Sequence, residues 1–266
     1  MFPQFIQIET TNSCPGKCKF CKAERANQFE TINDNLFQNI IDECFGKGIT
    51  YRLFLHNEPF TDPHLVQRIK NIKKDKSAKV ELNTNGYLLT RDISKELLNT
   101  GIDIIRFSID GFFKKTIKDV RGFDKELLYN NVEYFLQLNQ LNASKINTEI
   151  RMIRDVALDD NEIRFYENHW SKLADKVLLT KLYQWAGTYD GEILNLTCPK
   201  PQKEMFIKVN GDVILCCWDW KMIGPKYSLN HDTIENIWGK LGYYREKLMD
   251  GKRDCNILCQ KCNAYE

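Results

Sequence analysis

The chain has 266 residues, enough for one large α/β domain or a domain with a small appendage, and its 38 Lys and Arg nearly balance 36 Asp and Glu. A net charge of +2 gives no electrostatic case for nucleic acid or an anionic membrane, no apolar run approaches a membrane span, and MFPQFIQIETTNS at the N-terminus lacks the pattern of a signal peptide. The expected location is cytoplasmic, where ten cysteines are poor disulfide material and better metal ligands.

FIQIE (5–9) alternates as a strand does, and a loop carrying Cys14, Cys18 and Cys21 follows at once. Helical spacing runs from Asn33 to Phe45. YRLFLHN (51–57) then reads as a strand, LVQRIKNIKK (65–74) as a helix, AKVELNTN (78–85) as a strand, RDISKELLNTG (91–101) as a helix closed by Gly101, and IDIIRFSID (102–110) as a strand. A longer helix over 124–141 leads to INTEIRMIR (146–154), the helix DNEIRFYENHWSKLA (160–174), and DKVLLTKLYQW (175–185) in the next strand position. Such alternation implies a parallel sheet, open or curled towards a barrel, with its site at the C-terminal ends of the strands.

The pattern changes after Trp185. AGTYDGEILNLTCPKPQ (186–202) reads as a loop, EMFIKVNGDVILCC (204–217) as a hairpin turning at Asn210–Gly211, and HDTIENIWGKLGYYREKLM (231–249) as a helix before the last cysteines. A boundary near 186 divides the chain into 1–186 and 187–266. The second unit is too small for much of a core, so a metal is expected to hold it.

Nine of the ten cysteines fall in three groups: 14, 18 and 21; 198, 216 and 217; 255, 259 and 262. Cys44 stands alone and reads as a buried small hydrophobe on a helix. Three thiols in the first loop leave one position of a tetrahedral site or one iron of a cluster open. A zinc site completed from elsewhere, or loop cysteines with no shared role, remain alternatives. HNEPF (56–60) follows the second strand, NTNG (83–86) the third and SIDG (108–111) the fourth, and Arg151 lies in the fifth, all towards the functional face.

In these segments the chain resembles the radical S-adenosylmethionine (SAM) enzymes over residues 5–185. Cys14-x3-Cys18-x2-Cys21 matches the cluster loop, with Phe20 before the last cysteine. HNEPF stands in place of a GGEP-like motif, keeping Glu58 and Pro59 but replacing glycines by His56 and Asn57. LNTNG, FSIDG and Arg121-Gly122 match further motifs in order. The resemblance implies a partial (β/α)6 TIM-like barrel. Three thiolates would hold a 4Fe-4S cluster whose fourth iron is chelated by SAM, and reductive cleavage would yield a 5'-deoxyadenosyl radical that removes hydrogen from an unactivated C–H bond. Glu58 is then expected to accept from the SAM ammonium, Arg121 to fork onto its carboxylate, Ser108 to reach the ribose or carboxylate, and Phe20 to pack near the adenine.

The C-terminal region resembles the SPASM or "twitch" extension, a hairpin plus helix that holds auxiliary clusters. Cys198-x12-Gly211-x4-Cys216 reproduces its opening, and Cys259-x2-Cys262 its closing pair. The resemblance implies one auxiliary 4Fe-4S cluster on Cys198, Cys216, Cys259 and Cys262, with Cys255 as the alternative ligand and structural zinc on the same thiols as the alternative metal. Cys217 is expected to point away by strand alternation.

Two functions are implied. The first is an oxidoreductase resembling the short dehydrogenases of aminocyclitol biosynthesis: it would oxidise a sugar or cyclitol alcohol, with Arg151 at the hydroxyl and the auxiliary cluster taking the second electron. The alternative is a maturase acting on a ribosomally made peptide, disfavoured by the short segment before residue 5. An electron donor such as flavodoxin or ferredoxin is the expected partner, with no nucleic acid and no membrane.

Overall fold

The computed structural model describes residues 2–23, 28–142, 145–182 and 188–264. Six parallel strands, β1 (Phe5–Ile8), β2 (Thr50–Arg52), β3 (Lys79–Thr84), β4 (Ile104–Ser108), β5 (Asn147–Ile153) and β6 (Lys176–Thr180), pair in chain order. Between them run α1 (Asp34–Glu43), α2 (Leu65–Ile72), α3 (Arg91–Leu97), α4 (Lys114–Arg121), α5 (Lys125–Gln140) and α6 (Asp160–Trp170). Local chemistry sets these helices: Asn33, Thr90, Asp124 and Asp159 each cap a helix start with a side-chain oxygen, and Gly122 ends α4 at φ +80°. The sequence reading omitted α4, which carries few apolar residues.

The two faces of the sheet differ. Ile6, Ile8, Val80, Leu82, Ile105, Phe107, Ile150 and Met152 are fully buried in the apolar core. Alternating with them, Gln7, Arg52, Glu81, Asn83, Arg106, Ser108, Glu149 and Arg151 give the other face its polar character. A parallel sheet covered on both faces is ordinarily apolar throughout. The polar face is therefore where a ligand belongs.

The C-terminal region continues this sheet. After α7 (Lys200–Lys203), β7 (Glu204–Ile207) pairs parallel to β1 in the register Phe5↔Glu204 to Ile8↔Ile207. β8 (Asp212–Ile214) and β9 (Lys226–Ser228) add antiparallel strands, so the order is β6-β5-β4-β3-β2-β1-β7-β8-β9 and the sheet is open. The expected hairpin is present with a third strand beside it. The expected helix over 231–249 is broken at Leu241 into α8 (Ile234–Lys240) and α9 (Gly242–Met249), and α10 (Ile257–Gln260) follows. Docking onto β1 gives the region a core of its own, with Met205, Phe206, Val213, Ile234 and Trp238 buried. Glu43 on α1 accepts from the backbone N–H groups of Ile234 and Glu235, both at 3.0 Å, and fixes the start of α8. The expected boundary at 186, and Trp185, lie outside the described residues. Among the described residues no helix is long and apolar enough to cross a membrane.

Candidate active site

A cavity of about 550 Å³ at the C-terminal ends of the strands is lined by Cys14, Cys18 and Cys21, and also by Phe20, Glu58, Ser108, Arg121 and Arg151. The cysteine loop is strapped to the end of α4, where the N–H groups of Lys17 and Lys19 donate to the carbonyls of Arg121 (2.9 Å) and Val120 (3.0 Å). A Cβ at Gly122 would sit 3.2 Å from the Lys17 Cβ, so glycine serves both the left-handed turn and the close approach of the loop. Three donors reach the sulfurs: Gly16 N and Asn85 Nδ2 to Cys14 Sγ at 3.4 and 3.8 Å, and Arg121 Nη1 to Cys18 Sγ at 3.7 Å.

Glu58 caps the short turn at Pro59–Thr61 and is buried in the cavity wall. Its carboxylate accepts from Thr84 Oγ1 (2.6 Å), Asn85 N (2.7 Å) and Phe60 N (3.2 Å), so NTNG serves to aim HNEPF. Burial nonetheless pushes its pKa up to about 7. Such a carboxylate gains from a cation. Arg121 is anchored by Asp110, with Nη2 at 2.5 Å and Nε at 2.8 Å from Oδ2, while Asp110 Oδ1 accepts from Ile153 N at 2.7 Å. Its fork therefore serves Asp110 and Cys18 as well as any ligand carboxylate. Phe20 stands 5.6 Å from the Arg121 guanidinium.

His56 links the loop after β2 to the C-terminal region. Burial first and Lys208 second depress its pKa to about 4, so the ring is neutral. Nε2–H then donates to Cys217 O at 2.6 Å, and Nδ1 accepts from Lys208 Nζ at 3.1 Å. Lys208 also pairs with Glu9 at 2.7 Å. Neither His56 nor Asn57 needs a left-handed backbone, since Met222 is the one non-glycine at positive φ among the described residues.

Cys198, Cys216, Cys259 and Cys262 line a second, smaller cavity that Cys255 does not line. Arg253 staples the chain around it, donating to the carbonyls of Leu196 (3.0 Å), Cys262 (2.6 Å) and Ala264 (2.6 Å). Burial, then the neighbouring Cys216, pushes Cys198 up to about 11, and burial followed by the charges of the other thiols raises Cys259 further. Thiols crowded in this way gain from a cation or cluster that takes up their charge. Strand β8 ends at Ile214, so strand alternation does not govern Cys216 and Cys217. They lie in a turn closed by Asp219 N to Cys216 O at 3.0 Å, and Cys217 lines the first cavity while Cys216 lines the second. Trp218 and Lys200 line both.

A sequence model of the Radical SAM superfamily matches residues 8–158, more than half of the chain. The chain belongs to the Radical SAM superfamily. A second model, SPASM, an iron-sulfur cluster-binding domain, matches residues 198–263. The chain is 28% identical over 180 residues to the uncharacterized protein MJ0804 of Methanocaldococcus jannaschii, covering 67% of this chain but only 57% of that protein. It is 26% identical over 269 residues to a GTP 3',8-cyclase of Clostridium perfringens (97% of this chain, 76% of the cyclase). Among solved structures, BtrN in complex with AdoMet and 2-DOIA superposes with a TM-score of 0.69 at 18% identity, covering 100% of this chain and 94% of BtrN. SuiB of Streptococcus suis bound to precursor peptide SuiA gives 0.66 at 14% identity, covering 98% and 71%. At these identities the structures establish the fold alone.

As a radical SAM protein with a SPASM domain, the chain uses a 4Fe-4S cluster, SAM and auxiliary iron-sulfur chemistry, and its residues fit those groups. Among the described residues no three His, Cys, Asp or Glu side chains converge as the ligands of a single metal ion do. The loop cysteines and the four SPASM cysteines each border a cavity, and sulfurs of both groups receive N–H donors. The buried Asn57 Nδ2, Asn83 Oδ1 and Arg151 Nε, all on residues lining the first cavity, have no hydrogen-bond partner among the described residues, which suits a polar ligand there. Sequence reasoning missed Asp110, Asn85, the His56–Cys217 link and Arg253. Only Asp110 and Asn85 left a local signal, inside SIDG and NTNG.

Proposed function

We propose that the protein is a radical SAM oxidoreductase that oxidises an alcohol on a small, hydroxylated molecule such as a sugar or cyclitol. Cys14, Cys18 and Cys21 hold the SAM-binding cluster; Cys198, Cys216, Cys259 and Cys262 hold an auxiliary one; and residues 1–186 and 187–266 form the two functional units. When bound and reduced by an external donor, the cluster and SAM supply a 5'-deoxyadenosyl radical able to take hydrogen from a C–H bond.

The chain's own groups do the rest. Glu58 accepts from the SAM ammonium. Arg121, held by Asp110, meets the SAM carboxylate, Phe20 borders the nucleoside, and Ser108, opposite Arg151, is left to the substrate. Arg151 holds the substrate at the end of β5.

The observation that carries this reading is the shared wall. Oxidation to a ketone needs an exit for a second electron, and Trp218 and Lys200 line both the reaction cavity and the cavity of the four SPASM cysteines. A cavity of about 550 Å³ that must hold SAM as well leaves room for a small molecule rather than a folded partner. The test is anaerobic turnover with SAM and reductant, read by mass spectrometry. The expected product is two hydrogens lighter than its substrate, with one 5'-deoxyadenosine per product. A product of unchanged mass, or turnover confined to a peptide, would overturn it.

A further inference from the structure

The polar face of the sheet carries an alternating ladder of charge. Arg52 Nε meets Glu81 Oε2 at 2.9 Å, and Arg106 Nη1 meets the same oxygen at 2.6 Å. Arg106 Nε meets Glu149 Oε2 at 2.6 Å, and Arg151 Nη2 meets that oxygen at 3.1 Å. At the other end Glu204 pairs with Arg52 at 3.1 Å and with Lys200 at 3.7 Å. Among the described residues Arg52, Arg106, Arg151 and Lys200 thus share Glu81, Glu149 and Glu204. The four cations and Glu204 line the cavity, whereas Glu81 and Glu149 do not.

Arg151 is the terminal cation on the β5 side. It shares a single carboxylate oxygen with Arg106, its Nε is buried without a partner among the described residues, and its side chain is 35% exposed on a residue that lines the cavity. Burial and the neighbouring Arg106 charge both oppose its cation. Ser108 stands opposite Arg151 in the β4–β5 register, and Asn83, with its unpartnered Oδ1, stands opposite Arg106 in the β3–β4 register. A guanidinium with open donors beside a hydroxyl is suited to a planar or tetrahedral oxyanion.

We infer that the molecule taken by this cavity carries a carboxylate or phosphate group, anchored by Arg151 with Arg106 and Ser108. The identity of the reaction rests on the oxidation reading above; the anion site stands on the ladder alone. An amine-bearing cyclitol is disfavoured, since its ammonium would face guanidinium groups. The substrate class becomes a sugar acid or sugar phosphate.

The test measures binding without turnover. Cluster-loaded, SAM-saturated protein is titrated calorimetrically with inorganic phosphate and, separately, with malonate, using wild type, Arg151→Gln, Arg151→Lys and Ser108→Ala. The expected result is saturable one-to-one binding of at least one anion, weakened about tenfold or more in Arg151→Gln and less in Arg151→Lys, which keeps the charge and loses the fork. Tighter phosphate binding assigns a phosphate ester, and tighter malonate binding a carboxylate. Iron content and melting temperature show whether each variant is intact. If Arg151→Gln is not, Arg151→Lys and Ser108→Ala decide. Absence of saturable binding, or equal binding by wild type and the intact variants, overturns the inference. Oxidation of a neutral or amine-bearing sugar would also overturn it while leaving the oxidoreductase reading in place. Anion binding without a lighter product would leave the inference and remove that reading.

Discussion

Asn85 and Glu58 are coupled through one turn: the Asn85 backbone N–H donates to Glu58 Oε2 at 2.7 Å, while the Asn85 side chain donates to Cys14 Sγ at 3.8 Å. The residue that aims the candidate SAM-binding carboxylate therefore also touches a candidate cluster thiol, and the two sites are placed as a unit.

Glu58 should impose a pH dependence on SAM binding. Burial raises its pKa from 4.5 to about 7, so in the empty site the proton is held through the mildly acidic range. By linkage its contribution to folding stability is fully present below 4.5 and is lost as pH rises through about 7. SAM binding runs the other way, because the ammonium needs the carboxylate ionised. Affinity should fall up to about tenfold per pH unit below 7 in wild type, and Glu58→Gln should bind weakly with a flat profile between pH 5.5 and 8. An equally steep profile in Glu58→Gln would remove the assignment.

Asp110→Ala should destabilise the protein by about 3–5 kcal/mol, because it leaves the buried Arg121 guanidinium without its carboxylate. Urea unfolding of anaerobic apo-protein measures this directly. A loss below about 1 kcal/mol would show that Arg121 finds another partner.

The parts legible in the sequence are those encoded within a few consecutive residues. The cysteine spacing, Glu58-Pro59, the NTNG and SIDG turns, Arg121-Gly122 and the Asn210–Gly211 hairpin are each local, and strand–helix alternation was enough to order the six parallel strands. The rest is assembled from residues far apart in the chain. The ladder from Arg52 to Arg151 takes one or two residues from each of four strands, and no single segment announces it. Its trace was nevertheless present: Gln7, Arg52, Glu81, Asn83, Arg106, Glu149 and Arg151 occupy alternate positions of strands whose other positions are buried and mostly apolar. Pairing of β7 with β1 could not be read because it joins residues about 200 apart. Cys217 was expected to point away from Cys216 by strand alternation, but the strand ends three residues earlier and the two side chains hydrogen-bond to each other.

Arg253→Met should empty the second cavity without disturbing the first. Arg253 is fully buried and ties Leu196, Cys262 and Ala264 together, and methionine keeps bulk but no donors. Reconstituted protein should lose roughly half its iron, because the single auxiliary four-iron cluster is lost as a unit, and should still cleave SAM reductively. Full iron content would show that the staple is dispensable.

Cys198→Ala should likewise retain reductive SAM cleavage but lose substrate oxidation, because this thiol borders only the second cavity. Equal loss of both activities would mean that the two cavities are not functionally separate.

The most direct measurement is iron and acid-labile sulfide per chain in anaerobically reconstituted wild type, in the Cys14→Ala, Cys18→Ala, Cys21→Ala triple variant, and in Cys216→Ala and Cys217→Ala. The account predicts about eight of each in wild type, about four in the triple variant with no SAM cleavage, about four in Cys216→Ala, and about eight in Cys217→Ala, a residue that does not line the second cavity. Stoichiometric zinc with four iron in wild type, or the same loss from Cys217→Ala as from Cys216→Ala, would contradict it.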